Sequence, residues 1–430
     1  MRQPLLRNGG TFRREAPVCL QCCGDVHRLD RVKNADTNKL ERGTVASAKE
    51  LLRLLRKRQP EMTRLLGKFV RCESPSHNKA AVDRFSRMVA QEWKRRGADL
   101  RVVRQPERGN HLRAEIWFGD RRPQKQILVV GHLDTVYPMG TYATTPFRVA
   151  DGRAWGPGTF DMKGGLVIAL FAIDALTAAG VVPGKRLVFF WNSDEEIGSK
   201  SSRREIEREA LRSDAVLVLE PAAGVEGRLK TARKGAGSAE IVVTGRSSHA
   251  GIAPHLPGAG VNAVHELALQ IVRLMKMNDR RRGITVQATV AAGGTVSNVI
   301  PEHARAKIDI RHAHLSDAPK IDRALRGLRP ILPGAQIQVS GGMNRPPMER
   351  TWAVEKLFAQ ARTIMGEMGL PLDEAWVGGV SDGNFTAALG VPTLDGLGVV
   401  GDGAHSPREL VVLRSLPERA ALLAGLFATL

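Results

Sequence analysis

Three short apolar runs, at 127–130, 187–191 and 215–219, are each followed within a few residues by a histidine or an acidic residue. Runs of four or five apolar residues bounded by polar loops read as strands buried on both faces. A helix predicted over 165–179 separates the first run from the second, and strands alternating with helices argue for a mostly parallel α/β sheet. In open sheets of that kind, ligands bind at the carboxyl ends of the strands. Four short motifs place acids or imidazoles at such ends.

The first of these motifs is Gly131-His132-Leu133-Asp134-Thr135-Val136. A neutral imidazole on His132 can ligate a metal. Asp134, two residues on in an extended strand, points the same way and can accept the other ring N–H. Alone, the pair also reads as an ordinary hydrogen-bonded strand end. The second motif, Trp155 to Gly165, holds Asp161 in a glycine-rich turn that opens a helix and lacks P-loop spacing. Asp161 could be a helix N-cap there, or a carboxylate whose two oxygens bridge two cations. In the third, Asn192-Ser193-Asp194-Glu195-Glu196, consecutive acids close a buried strand, which is costly unless they are paired or bound to metal. Adjacent side chains of an extended segment diverge, so one glutamate can ligate while the other reaches a water as general base. Glu220 ends the 215–219 run, and His405 stands in a glycine-rich loop near the C-terminus. Together His132, Asp161, one of Glu195 and Glu196, Glu220 and His405 suit a two-zinc site with a shared carboxylate, which cobalt or manganese could also occupy.

From about 234 the pattern changes to β-α-β-β-α-β, with strands at 239–244, 285–291, 304–310 and 336–339 and helices near 263–277 and 319–328. That order is the ferredoxin-like arrangement. Beyond 344 the α/β pattern returns. The reading is a catalytic domain over 46–233 and 344–430, a small inserted α+β domain over 234–343, and a basic, poorly ordered extension over 1–45.

Charge and cysteine usage narrow the function. The net charge is +20, yet residues 1–71 hold 17 Lys and Arg against 7 Asp and Glu, a surplus of +10. Half the excess in the first sixth of the chain describes a basic arm rather than a basic groove. No nucleic-acid reader motif accompanies it, so no specific nucleic-acid partner is expected. No apolar run reaches the roughly 18 residues that span a bilayer. Arg13, Arg14 and Glu15 interrupt the N-terminus before a signal-peptide core can form, so a cytoplasmic protein without a membrane partner is expected. Cys19, Cys22 and Cys23 cluster with only His27 nearby, too few for a zinc knuckle, and four cysteines impose no disulfide framework.

The motifs G-H-L-D-T-V, G-P-G-T-F-D-M-K-G-G, S-D-E-E-I-G-S, L-E-P, S-S-H-A-G, S-N-V-I-P, D-I-R and H-S-P-R-E-L closely resemble those of the M20 metallopeptidases, the carboxypeptidase G2-like branch best. The resemblance runs from about residue 50 to the end. It implies His132 and Glu220 on one zinc, Glu196 and His405 on the other, and Asp161 bridging them with a cis peptide to Met162. It implies Asp134 orienting His132 and Glu195 as catalytic base. Arg311 and Asn298 would grip the substrate carboxylate, and His249 would enter a partner's active site to stabilise the oxyanion. The inserted domain would then dimerise the chain into a homodimer. The substrate would be a small peptide or an N-acyl amino acid, cut beside its terminal carboxylate. Two features depart from the branch: Ser381-Asp382-Gly383-Asn384 replaces its Thr-Asp-Ala loop, and Arg228, Lys230, Arg233 and Lys234 form a basic stretch that could pair with an acidic side chain. A non-catalytic scaffold on this fold would be expected to lose ligands, and all five are present.

Overall fold

The computed structural model describes residues 47–252 and 258–430. The basic extension and its Cys19, Cys22, Cys23 cluster lie outside the described residues.

The central sheet has six strands in the order Asp99–Val103, His111–Ile116, Arg186–Asn192, Gln126–His132, Ser213–Val218 and Thr393–Leu394. The four on the Thr393 side run parallel, and the first two form an antiparallel edge. Both faces are covered, which is why the inner strands are apolar without interruption. Ile127 and Val129 look into a core shared with the helices Gly164–Ala178 and Ser415–Thr429. Leu128 and Val130 look the other way, onto Ile206 and Ala210 of the helix Arg203–Ala210. Helix Gly164–Ala178 is buried on nearly every side, as its almost unbroken apolar sequence requires. Trp93, Phe189 and Trp191 fill the space under the antiparallel edge, with ring centroids 4.2–6.0 Å apart.

A second, antiparallel sheet orders its strands Thr285–Gly293, His303–His312, Gly235–Thr244 and Gln336–Arg345. This is the ferredoxin-like order. Helices Ala263–Met275 and Ala318–Arg326 cover one face, burying Leu267, Leu274, Ile321 and Leu325 against Ile241, Val243, Ile308 and Ile310. Side chains of the inner strand His303–His312 alternate between buried and exposed, as one covered face demands. The chain enters and leaves this unit side by side, where Arg233 and Met348 exchange two backbone hydrogen bonds of 2.9 and 3.0 Å.

Two small sheets complete the site. Strands Leu229–Arg233 and Glu374–Val377 pair in parallel. Arg148–Ala150, Arg153–Trp155, Leu410–Val412 and Gly401–Asp402 form a four-stranded patch that fixes the loop bearing His405 beside the turn bearing Asp161. That patch leaves no trace in the sequence pattern, because its strands are two or three residues long and carry no sustained alternation.

Candidate metal centre

Strand register brings the acids and imidazoles together. His132 is the last residue of its strand and pairs with Asn192, which sets it beside the 193–196 turn. Val130 pairs with Val218, and the Leu219 amide donates to the Val130 carbonyl at 3.0 Å, so Glu220 emerges on the other flank. Asp161 lies in the tight turn Thr159–Lys163 ahead of helix Gly164–Ala178, and its peptide bond to Met162 is cis. It does not cap the helix. His405, at φ 60°, completes the ring from the C-terminal loop.

The distances define a bridge. Asp161 Oδ1 is 3.1 Å from His132 Nε2, while its Oδ2 is 3.3 Å from His405 Nε2. Glu220 Oε1 is 3.6 Å from His132 Nε2, and Glu196 Oε2 is 3.2 Å from His405 Nε2. Nδ1 of His132 lies 2.9 Å from the Asp134 carbonyl and 3.6 Å from its carboxylate. The Asp134 carboxylate accepts instead from Ser76 Oγ at 2.7 Å and from the amides of Glu195 and Glu196 at 3.2 and 3.3 Å. Asp134 therefore holds the glutamate turn as well as neighbouring the imidazole. The Asp161 turn is held by Glu409, whose carboxylate accepts from the amides of Gly158, Phe160 and Asp161 at 2.7–2.9 Å and from the Tyr137 hydroxyl at 2.5 Å.

Residues 128–429 match the family model for peptidase family M20/M25/M40. The chain belongs to that family. It is 34% identical over 313 residues to carboxypeptidase G2 of Pseudomonas sp. (strain RS-16), an alignment covering 72% of this chain and 75% of that one. It is 26% identical over 323 residues to succinyl-diaminopimelate desuccinylase of Stenotrophomonas maltophilia (strain R551-3), covering 70% and 84%. In fold it is similar to aminopeptidase PepT of Bacillus cereus ATCC 10987, with a TM-score of 0.71 at 20% identity over 86% of this chain and 98% of that one. A dinuclear metal-binding M20 peptidase of Bacillus subtilis, YXEP, superposes at a TM-score of 0.61 with 16% identity, over 87% and 98%. As an M20 peptidase, the chain is a hydrolase.

The electrostatics of this M20 centre suit a pair of dications. Burial pushes Glu220 up to about 7, and burial likewise raises Glu196 and, well above the usual range, Glu195. Burial alone would raise Asp161, but hydrogen bonds from both imidazoles outweigh it and hold the carboxyl far below its ordinary value. Those same contacts, with Asp161 and Glu196, push His405 up to about 10. Buried carboxylates crowded this closely repel one another, and a metal relieves that repulsion by replacing the protons. Oε1 of Glu196 is buried with no hydrogen-bond partner among the described residues. His132, Asp161 and Glu196 each offer one ring nitrogen or carboxylate oxygen within 4.8 Å of the others, and so do His132, Glu195 and Glu220.

The residues expected on the inserted unit make their contacts within that unit. Arg311 forks onto Asp309 through Nε and Nη2, both at 3.0 Å. Asn298 is exposed, and its carbonyl accepts from Ala250 at 2.9 Å. His249 is exposed on the short strand Ser248–His249, where its Nδ1 accepts from the Gly251 amide at 3.1 Å. In the basic stretch, Arg233 is consumed by Asp395 at 2.7 and 2.9 Å. Lys230 lines a cavity of about 470 Å³ beside Asp161 and Glu220, and it forms no ion pair among the described residues. Side chains of the 381–384 loop turn inward: Ser381 binds Asp395 at 2.5 Å, Asp382 binds Arg345 at 3.0 Å, and Asn384 reaches the carbonyls of Lys234 and Pro346. Glu409, Arg345 and Asp395 carry much of this architecture. Glu409 lies in the H-S-P-R-E-L motif, but its role is not readable there, and no spacing marks Arg345 or Asp395, because each acts on a segment remote along the chain.

Proposed function

We propose that the chain is a zinc-dependent hydrolase that cleaves an amide or peptide bond next to a C-terminal carboxylate. The observation that carries this reading is Asp161, with one oxygen facing His132 and the other facing His405. His132, Asp161 and Glu220 would hold one zinc, and Asp161, Glu196 and His405 the second; cobalt or manganese would accept the same donors. Bound there, the ions would polarise the scissile carbonyl and acidify the attacking water.

Glu195 takes a proton from that water as the new C–O bond forms. It returns the proton to the amine nitrogen as the C–N bond breaks. The substrate carboxylate goes to Arg311 and Asn298, with Arg311 exchanging its fork on Asp309 for a fork on the substrate. Lys230, without an ion pair among the described residues and beside the cluster, favours substrates whose terminal residue carries a second carboxylate, such as glutamate. His249 reaches the oxyanion from a second copy of the chain, which makes the homodimer through the 234–343 unit the functional form. A reducing, cytoplasmic setting suits the buried free thiol of Cys72.

A second reading, an N-acyl amino acid amidohydrolase with the same machinery, is favoured by the several desuccinylases at 26–29% identity. Both readings stand on Glu195. Replacing Glu195→Gln removes the base while keeping nearly the same shape, so kcat should fall by at least about a thousandfold with metal content unchanged. A Glu195→Gln enzyme with full turnover would remove the mechanism.

A further inference from the structure

We infer that Arg345 is a positioning residue for Glu195, holding one oxygen of its carboxylate so that the other faces the reacting water. The inference rests on the reading of Glu195 as the base. Arg345 is the last residue of the strand Gln336–Arg345, where the second sheet ends and the chain returns to the first. Its side chain is 2% exposed. Nη2 stands 3.1 Å from Glu195 Oε1, 3.3 Å from the Glu195 carbonyl oxygen and 2.9 Å from Ser199 Oγ. Nη1 donates to Asp382 Oδ1 at 3.0 Å, and the guanidinium lies over the Phe385 ring at 4.8 Å.

Asp382 is anchored in turn. Its Oδ1 accepts from Ser199 Oγ at 2.5 Å, and its Oδ2 accepts from the Asn192 side-chain amide. The far side of the guanidinium is thus locked to the strand end that carries the glutamate turn, and the near side touches both backbone and side chain of Glu195. The Glu195 amide is fixed separately by Asp134 at 3.2 Å. With Oε1 engaged and the backbone pinned at both ends, the carboxylate has little freedom left, while Oε2 has no partner among the described residues. Neutralising Asp382 alone would require only a point charge. Contacting Asp382, Ser199 and Glu195 at once requires the planar fork of an arginine. A reacting group displaced by about 1 Å can lose on the order of a hundredfold in rate, so an arginine that fixes a base is a kinetic device.

The test is a cycle of Arg345→Lys, Glu195→Gln and the double variant, read as kcat and KM separately, with metal content measured on each. Arg345→Lys should lower kcat by about 10- to 100-fold with KM and metal content nearly unchanged. In the Glu195→Gln background, followed by single turnover with enzyme in excess, the same change should have no further effect. An unchanged kcat, or an equal loss in both backgrounds, overturns the inference, and so does a rise in KM alone, which would make Arg345 a substrate ligand. If Glu195→Gln is fully active, the base reading itself fails; if it is inactive while Arg345→Lys is normal, only the positioning role fails. Should Arg345→Lys not fold, Ser199→Ala goes through the same cycle. It removes one anchor of Nη2 and should cost kcat several-fold, in the Glu195 background only.

Discussion

Removing the Glu409 carboxylate should damage the metal centre without touching a ligand. Glu409 is 1% exposed, and its two oxygens accept three backbone amides of the Asp161 turn and one tyrosine hydroxyl. Glu409→Ala leaves the amides of Gly158, Phe160 and Asp161 buried without acceptors. Each unsatisfied buried donor costs about 1–3 kcal/mol, and sharing one deletion makes the sum less than additive, so a loss of about 3–6 kcal/mol is expected. Burial raises the Glu409 carboxyl against the opposing pull of Tyr137 and the amides, so the carboxylate form depends on those donors as much as they depend on it. Glu409→Gln keeps one acceptor oxygen but turns an NH2 toward donors, and should lose about half as much. Denaturant unfolding of metal-free protein measures the effect without metal rebinding to mask it. Because Asp161 sits on the loosened turn, metal content should fall in parallel. A Glu409→Ala protein within about 1 kcal/mol of wild type, with full metal content, would refute the assignment of this carboxylate as the clamp of the turn.

Asp161→Ala removes the only side chain among the described residues that contacts both imidazoles, so elemental analysis should show fewer than two metals per chain and no turnover. Metal-free protein should lose stability as pH rises. Glu220, raised from 4.5 to about 7, contributes fully below 4.5 and loses its contribution between those values; His405, raised from 6.5 to about 10, does the same above 6.5. Thermal melts from pH 5 to 9 should therefore decline without metal and flatten with zinc, and a metal-free melt that rises over this range would contradict the crowding of the site. Lys230→Glu should raise KM for substrates ending in glutamate at least about tenfold while leaving alanine-ended substrates within a few-fold, because it reverses the charge on the cavity wall. Gly165→Ala should destabilise the core, since the added Cβ would sit 2.5 Å from the Leu219 carbonyl oxygen.

Much of the fold was legible because the central strands are apolar on both faces and the second sheet alternates. Runs such as 187–191 and the helix at 165–179 need no tertiary information to be recognised. Of the proposed ligands, His132 and Glu220 were legible from such runs, which end one or two residues before them, whereas Asp161 and His405 stand in glycine-rich loops and were marked only by motif. What stayed hidden lies in contacts between distant segments. Glu409 acts on amides 248–251 residues away, and Arg345 on a glutamate 150 residues away, so neither leaves a local pattern. The patch joining Arg148–Trp155 to Gly401–Val412 is invisible for the same reason: its strands are too short to show periodicity, and pairing alone creates them. Arg311 was legible as an arginine on a strand, but its fork onto Asp309 two residues earlier follows from both side chains sharing one face.

The most direct test of the account couples metal content with hydrolysis on the same preparation. The protein is analysed for bound metal, then assayed against N-acyl amino acids and dipeptides ending in Glu, Asp, Ala, Leu and Arg, before and after chelation and zinc return. The expected result is about two zinc ions per chain, turnover abolished by the chelator and restored by zinc, and the highest kcat/KM on substrates ending in glutamate. Protein that binds no metal and hydrolyses nothing after zinc is added would contradict it.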